Sequence, residues 1–349
     1  MEASRRALSV LFLGVLAASA FVVAMGQEAR PGRSPAGGDA SSLGNVTDTP
    51  ILNRLLHVMR GSSAWAFSVA WSPDGTRLAA SSQDGKIYIW TSTGSLVRAW
   101  VGHGNWVYAL AWSPDGTRLA SGSGDTRIRI WDSATGTLLR TLEGTGAAIW
   151  SLSWSPDGTL LASNSPVGQA RIWNPSTGAL LRTLGRGGGN VESVSWSPDG
   201  TRLASIEAEL VVRIWEVSSG SLLGTLRPPR GEVESIAWSP DGMWLAGGSL
   251  DSAIYIWNPL NGSLLRTLTD RQKPTWPTNP VWSVAWSPTG GLLASGSMDR
   301  EVRIWDPSKG ILLRNLSGHN RSVWDVAWSP DGSQIASSSH DGTVRIWYP

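Results

Sequence analysis

The sequence contains no cysteine, which excludes disulfides, a thiolate nucleophile and any Cys-ligated metal centre. Charge is sparse at 16% of residues, and the net value of +2 is unchanged when residues 1–50, with four Arg and four acids, are set aside. No basic tract occurs, so nucleic acid is not the expected partner. No metal or cofactor is expected either. A long apolar run appears only once, from Ala7 to Met25, and no helical pattern elsewhere would bury it against the rest of the chain.

Trp, by contrast, occurs 22 times, and its spacing organises the molecule. The stretch WSPDGSQIASSSHDGTVRIW, Trp328 to Trp347, has seven close copies. They open at Trp71, Trp112, Trp154, Trp196, Trp238, Trp286 and Trp328 and close 19 residues later, at Trp90, Trp131, Trp173, Trp215, Trp257, Trp305 and Trp347. Successive copies lie 41, 42, 42, 42, 48 and 42 residues apart, a period that indicates a radial array of four-stranded units rather than a helical solenoid.

Each copy reads as a meander. Ser283-Val284-Ala285-Trp286 alternates as a strand (a), and Ser-Pro-Asp-Gly then fits a type I turn, with Pro second and Gly fourth. Leu119 to Ser123 is strand b, an Asp-Gly or Asp-Thr turn follows, and Arg129-Ile130-Trp131 is strand c, rich in branched and aromatic residues. Leu-Leu-Arg-Thr-Leu, at Leu138 to Leu142, Leu180 to Leu184 and Leu264 to Leu268, is a short outer strand d.

Gly-His, then Ser-x-Asp-Gly, then Ile-Trp-Asp resembles the WD-repeat β-propeller family, in a form with Ala-Trp-Ser-Pro-Asp-Gly on strand a. The resemblance covers residues 52–349 and implies an all-β, seven-bladed β-propeller of four-stranded antiparallel blades. The final copy has no strand d after Trp347, whereas Leu55 to Met59 precede the first copy as an orphan strand d. The N-terminal strand is therefore expected to pair with the last blade and remove two free sheet edges.

The expected organisation is residues 1–26 as a signal peptide or signal anchor, 27–50 as a flexible linker and 51–349 as the propeller. Arg5-Arg6 before the apolar run, and small residues at Ala18-Ser19-Ala20 and Ala24-Met25-Gly26, suit a secretory signal with two cleavage points. At 19 residues the run also suits a transmembrane anchor. Either form places the propeller outside the cytoplasm. Residues 27–50 are rich in Pro, Gly, Ser and Asp and carry almost no core-forming side chains.

The resemblance implies buried polar tetrads in two copies: His103, Ser123, Asp125 and Trp131, and His319, Ser339, Asp341 and Trp347. A Ser, His and Asp set would also suit a hydrolase, but this one repeats and lies inside a blade rather than in a concave site. No enzymatic activity is expected. Elsewhere the His position holds Ser62, Thr145, Gly187 or Pro229, and Val167 and Glu209 replace the Asp, so blades 3 and 4 are expected to be less rigidly tied. The Arg residues of strands c (Arg129, Arg303, Arg345) and d (Arg140, Arg182, Arg266) are expected to form a solvated outer wall.

In this family partners dock on the narrower face, formed by the d–a and b–c loops. Contact positions lie four and six residues before the strand a Trp, and just before the Asp of the b–c turn. The position four before holds Phe67, Tyr108, Trp150, Glu192, Glu234, Trp282 and Trp324. The position six before holds Trp65, Trp106, Ala148, Asn190, Glu232, Pro280 and Ser322. An aromatic arc thus faces an acidic one. Trp276 sits in a Pro-rich insertion between blades 5 and 6 on the same face. The partner-binding residues are accordingly Trp65, Phe67, Trp106, Tyr108, Trp150, Glu192, Glu232, Glu234, Trp276, Trp282 and Trp324, and a protein or peptide carrying Lys or Arg fits them. The domain is expected to be monomeric. The competing function is carbohydrate binding or glycoside hydrolysis, with Glu192 and Glu234 as paired carboxylates, although no partner visible in the sequence would raise the pKa of either.

Overall fold

The Ser-Pro-Asp-Gly turn folds as its residues dictate. The Gly75 amide donates to the Ser72 carbonyl at 2.9 Å, with Gly75 at φ +69°, a left-handed conformation that glycine adopts without steric cost. The Asp74 carboxylate accepts from the Ser72 hydroxyl and the Thr76 amide, and these bonds hold its pKa below the usual carboxylate value. Such turns join strands a and b in every copy.

The computed structural model describes residues 54–61, 64–143, 146–164, 168–185, 191–207, 211–270 and 279–349. These contain seven four-stranded antiparallel sheets and no helix. The leader, the linker, Ser62, Thr145, Val167, Gly187, Asn190, Glu209 and Trp276 lie outside the described residues. Six sheets are consecutive a-b-c-d meanders. The seventh takes strands a to c from Val323–Trp328, Ile335–Ser339 and Thr343–Trp347, and strand d from Leu55–Arg60. Leu55 pairs with Trp347, His57 with Ile346 and Arg60 with Thr343, so the chain closes as its repeat pattern implies.

Neighbouring blades are tied by their strand a tryptophans. Each indole N–H donates to the carbonyl of the residue preceding the strand a Trp of the previous blade: Trp112 to Ala70, Trp154 to Ala111 and Trp196 to Ser153, at 3.0 to 3.1 Å. Trp238, Trp286 and Trp328 repeat the contact with Ser195, Ala237 and Ala285. Trp71 closes the circle by donating to Ala327 at 3.3 Å. Between the sheets, Val, Ile, Leu and Ala from facing blades pack into seven buried clusters, one per interface.

Within blades, the tie differs from the expected tetrad in one member. In blade 2 the serine is Ser121, not Ser123. Trp131 donates to the Ser121 hydroxyl at 2.7 Å, Ser121 meets His103 Nε2 at 2.7 Å, and His103 Nδ1 meets Asp125 at 3.0 Å. In blade 7 the serine is likewise Ser337, not Ser339, between Trp347 and His319. Ser121 pairs across the sheet with Arg129, two steps from the Leu119–Trp131 pair, and is within reach of the indole. Ser123 lies two residues (~7 Å) further along the strand. There it accepts from the Asp125 amide and donates to the Asn105 carbonyl, which fastens the b–c turn; Ser339 does the same with Asp341 and Arg321.

The remaining blades use other chemistry. In blade 4, Glu207 occupies the place of a relay member: it is 2% exposed, accepts from Ser205 and pairs with Arg213, while Ser205 accepts from Trp215. Blade 4 is thus firmly tied, contrary to expectation. Blade 3 keeps the Trp173–Ser163 bond of the relay, and buried Asn164 fastens strand b to strand a by accepting from the Trp150 and Ser151 amides and donating to the Ala148 carbonyl; the inner strands are 3, 3 and 4 residues long. Blades 1 and 5 put Tyr88 and Tyr255 two residues before the closing Trp, and each hydroxyl donates to the b–c turn acid, Asp84 or Asp251. The Ser position there is Ala80 or Gly247, so the closing Trp finds no hydroxyl at that place, and at Gly247 the Trp257 ring fills the space of a side chain. Blade 6 buries Arg303, 5% exposed, between Asp299 and Asp270. The strand c arginines are therefore not a solvated wall, since Arg303 is buried and Arg129 holds Asp125 and the Gly102 carbonyl. In strand d, Arg140 and Arg266 are exposed as expected, and Arg140 and Arg182 donate to carbonyls of the next blade's c–d turn, Thr177 and Ser218.

Burial depresses the pKa of His103 to about 4, so the neutral imidazole accepts from Ser121 and donates to Asp125. Replacing His103 or Ser121 with Ala is expected to cost about 1–3 kcal/mol by leaving buried partners unmatched, with less than additive loss in the double variant. The unfolded histidine titrates near 6.5 and the folded one near 4, so stability is lost as pH falls between those values. Urea melts at pH 7 and pH 4.5 are expected to show a smaller pH difference in His103→Ala. Deleting residues 54–60 uncovers the edge of strand c in blade 7 and is expected to produce aggregates, absent from the parent protein, in sedimentation experiments.

Candidate functional site

Strand a lies innermost in each blade, and its residues alternate between blade interior and channel. The fifth residue before each strand a Trp, such as Val107, Ile149, Val233 or Val323, is fully buried within the sheet packing. Its neighbours at positions four and six before are then directed to the narrow-face mouth of the channel.

There the aromatic side chains form one contiguous network. Trp282 stacks on Trp324 with centroids 5.1 Å apart, Trp324 meets Phe67 at 5.9 Å, Phe67 meets Tyr108 at 5.0 Å, and Tyr108 meets Trp150 at 3.9 Å. Five blades thus contribute an unbroken arc. Trp65 and Trp106 form a second tier, each touching Phe67 and one another. Phe67 is only 6% exposed under this tier, so it serves as packing beneath the surface. Trp150, 40% exposed at the end of the arc, presents the most accessible ring.

His340 joins the network from the b–c turn of blade 7. It stacks on Trp65 at 4.0 Å and lies 4.6 Å from Trp324. Burial in this aromatic setting, with Arg321 nearby, lowers its pKa to about 3, so the imidazole is neutral at physiological pH. Its position just before the b–c Asp is one of the three contact positions that the resemblance implies. The imidazole Nε2 and the indole nitrogens of Trp282 and Trp324 are buried without a hydrogen-bond partner. Each such group costs about 1–3 kcal/mol, and three of them fall in one stacked cluster.

Glu192, Glu232 and Glu234 close the arc on blades 4 and 5. All three are partly buried. Burial raises the Glu234 carboxyl to about 8, with Glu192 and then Glu232 adding to the rise. A partner that raises the pKa of one of the paired acids is therefore present, although it could not be seen in the sequence. Glu234 is therefore predominantly protonated at neutral pH.

Asp325, which sequence reasoning passed over, organises the mouth from below. It replaces the Ser or Ala found three residues before the strand a Trp in the other copies, and that departure was the available signal. One carboxylate oxygen accepts from the Ser283 hydroxyl and the Val326 amide, the other from the Ser68 hydroxyl and the Val69 amide, at 2.8 to 3.0 Å. A single side chain thus links blades 6, 7 and 1 beneath Trp282, Trp324 and Phe67. Burial raises its pKa, and four donors oppose the rise. Among the described residues no group of three or more His, Cys, Asp or Glu suits a metal ion.

A family model for the first β-propeller of IFT122 matches residues 65–206, and the WD domain, G-beta repeat model matches residues 220–258, 262–306 and 310–348. A search of curated proteins returned no match. The matched segments follow one another along the ring, each over copies of the same Trp-bounded unit, and the chain belongs to the WD-repeat β-propeller family.

Proposed function

We propose that the protein is a non-catalytic scaffold that binds a protein or peptide through the narrow-face channel mouth, taking a Lys or Arg side chain at the Glu192–Glu234 pair. The observation that carries this reading is the single arc from Trp282 to Trp150, interrupted only where the acids stand. Large rigid rings give contact area at low entropic cost. A cation fits beside them because Glu234 is held protonated by desolvation and by its acidic neighbours, and a positive charge there relieves both.

We further propose that the propeller works outside the cytoplasm, secreted or tethered through residues 7–25. Arg5-Arg6 ahead of that apolar run supports this. Among the described residues no helix is long and apolar enough to cross a membrane. Fractionation of cells expressing the full chain tests the compartment, and N-terminal sequencing of the product tests cleavage.

A second reading draws on one specific observation: a carboxyl raised to about 8 beside a second acid and aromatic platforms is also what glycoside hydrolysis uses, with Glu234 as the acid. Turnover of chromogenic glycosides that disappears in Glu234→Gln would favour it over the scaffold.

Panning the propeller against a peptide display library is expected to enrich Lys- or Arg-containing sequences. Trp150→Ala is expected to weaken the enriched peptides by about 2 kcal/mol, whereas Lys309→Ala, whose side chain is 71% exposed in a c–d turn, leaves affinity unchanged. Enrichment without basic residues would overturn the cation assignment. The folded Glu234 pKa lies above the unfolded value of 4.5, so its contribution to stability is full below that value and is lost as pH rises through about 8. Glu234→Gln is therefore expected to flatten the fall in melting temperature between pH 5 and pH 9.

A further inference from the structure

We infer that the Trp282–Trp324–His340 cluster is a main-chain amide subsite, where a peptide unit of the ligand supplies the hydrogen bonds that these three side chains lack. This rests on the reading of the channel mouth as a peptide site and adds the part of the peptide that is recognised. The indole nitrogens of Trp282 and Trp324 are obligate donors, and both are buried without a partner. An acceptor is what they require.

The choice among acceptors follows from charge. Trp282 stands on blade 6 beside blade 5, which carries Glu232 and Glu234, and burial with the charges of Glu192 and Glu232 already makes ionisation of Glu234 costly. An anionic acceptor would add to that repulsion. A neutral carbonyl would not. His340 Nε2, also without a partner, belongs to a neutral imidazole at physiological pH, which accepts or donates according to tautomer and matches either half of a peptide unit. Two donors and one adaptable nitrogen in a single stack suit a secondary amide better than any lone ion.

Entry requires the covered nitrogens to be reached, and the stack provides the means. Trp282 and Trp324 lie nearly parallel, 14° apart with centroids at 5.1 Å, so sliding one ring over the other uncovers the N–H edges without breaking a hydrogen bond. The rings rest above Asp325, whose four bonds join blades 6, 7 and 1; the side chains can move while the backbone beneath them stays fixed. A bound peptide would then place its basic side chain toward Glu234 and an adjacent amide on the indoles.

The test uses the full propeller with ¹⁵N-labelled indoles and two probes: N-acetyl-Ala-Lys-Ala amide, and n-butylammonium, which has the same cation and no amide. Trp282→Phe and Trp324→Phe assign the two resonances by their disappearance and keep an aromatic ring in place. The capped peptide is expected to shift both indole N–H signals and to bind each variant about tenfold more weakly. Thermal stability should be unchanged or higher in the variants, since each removes an unmatched donor. The amine is expected to leave both signals in place. Peptide binding that spares these signals, or that is equal in the variants, would overturn the amide subsite while leaving the peptide reading intact. Equal shifts with the amine would overturn it too. Failure of the peptide to bind the parent protein at all would overturn both.

Discussion

The structure depends on one hydrogen bond made seven times, from a strand a indole to the backbone of the preceding blade. A bond to a main-chain carbonyl fixes the spacing and tilt of the two sheets, and only Trp offers both the donor and enough apolar surface to fill the wedge between them. Because the Trp71–Ala327 bond joins the first copy to the last, the set is complete only when the ring is closed. Strand Leu55–Arg60 closes it covalently as well, since the polypeptide itself spans blades 7 and 1.

From that ring follows the asymmetry of the channel mouth. Equivalent positions in seven blades form a circle, so any difference between copies becomes a difference around its rim. Blades 6, 7 and 1 to 3 present aromatic rings, and blades 4 and 5 present acids. Asp325 lies under the aromatic side, where it links three blades that the indole bonds alone would join only in pairs. The acids lie opposite, where desolvation and mutual repulsion keep Glu234 protonated. A face built in this way is polar at one end and holds unmatched donors at the other, an arrangement suited to an extended ligand with a direction.

Much of the architecture was legible because it depends on period and turn chemistry. The constant 19-residue interval, the Pro and Gly of the a–b turn and the orphan Leu55 to Met59 each have a local cause that reads directly from sequence. The interior ties were less legible. Ser121 and Ser123 lie two apart and face the same side of the sheet, so only the reach of the Trp131 indole decides between them. Tyr88 opposite Ala80, and Tyr255 opposite Gly247, are cross-strand pairs that show only when strand register is known. The candidate site was legible as a set of neighbouring positions but not in its energetics. The titration of Glu234 and the orphaned nitrogens of Trp282, Trp324 and His340 arise from burial and from neighbours contributed by other blades.

The central claim is that the Glu192–Glu234 gap takes a cation on a face lined by aromatic rings. It is tested most directly by calorimetric titration of N-acetyl-Ala-Lys-Ala amide at pH 7 in two buffers of different ionisation enthalpy. A cation at Glu234 lowers a pKa that stands near 8 in the free protein, so binding is expected to release a proton, and affinity is expected to rise with pH until that carboxyl is ionised. Proton release should vanish in Glu234→Gln. Binding with equal heats in both buffers, or release that persists in that variant, would contradict the account.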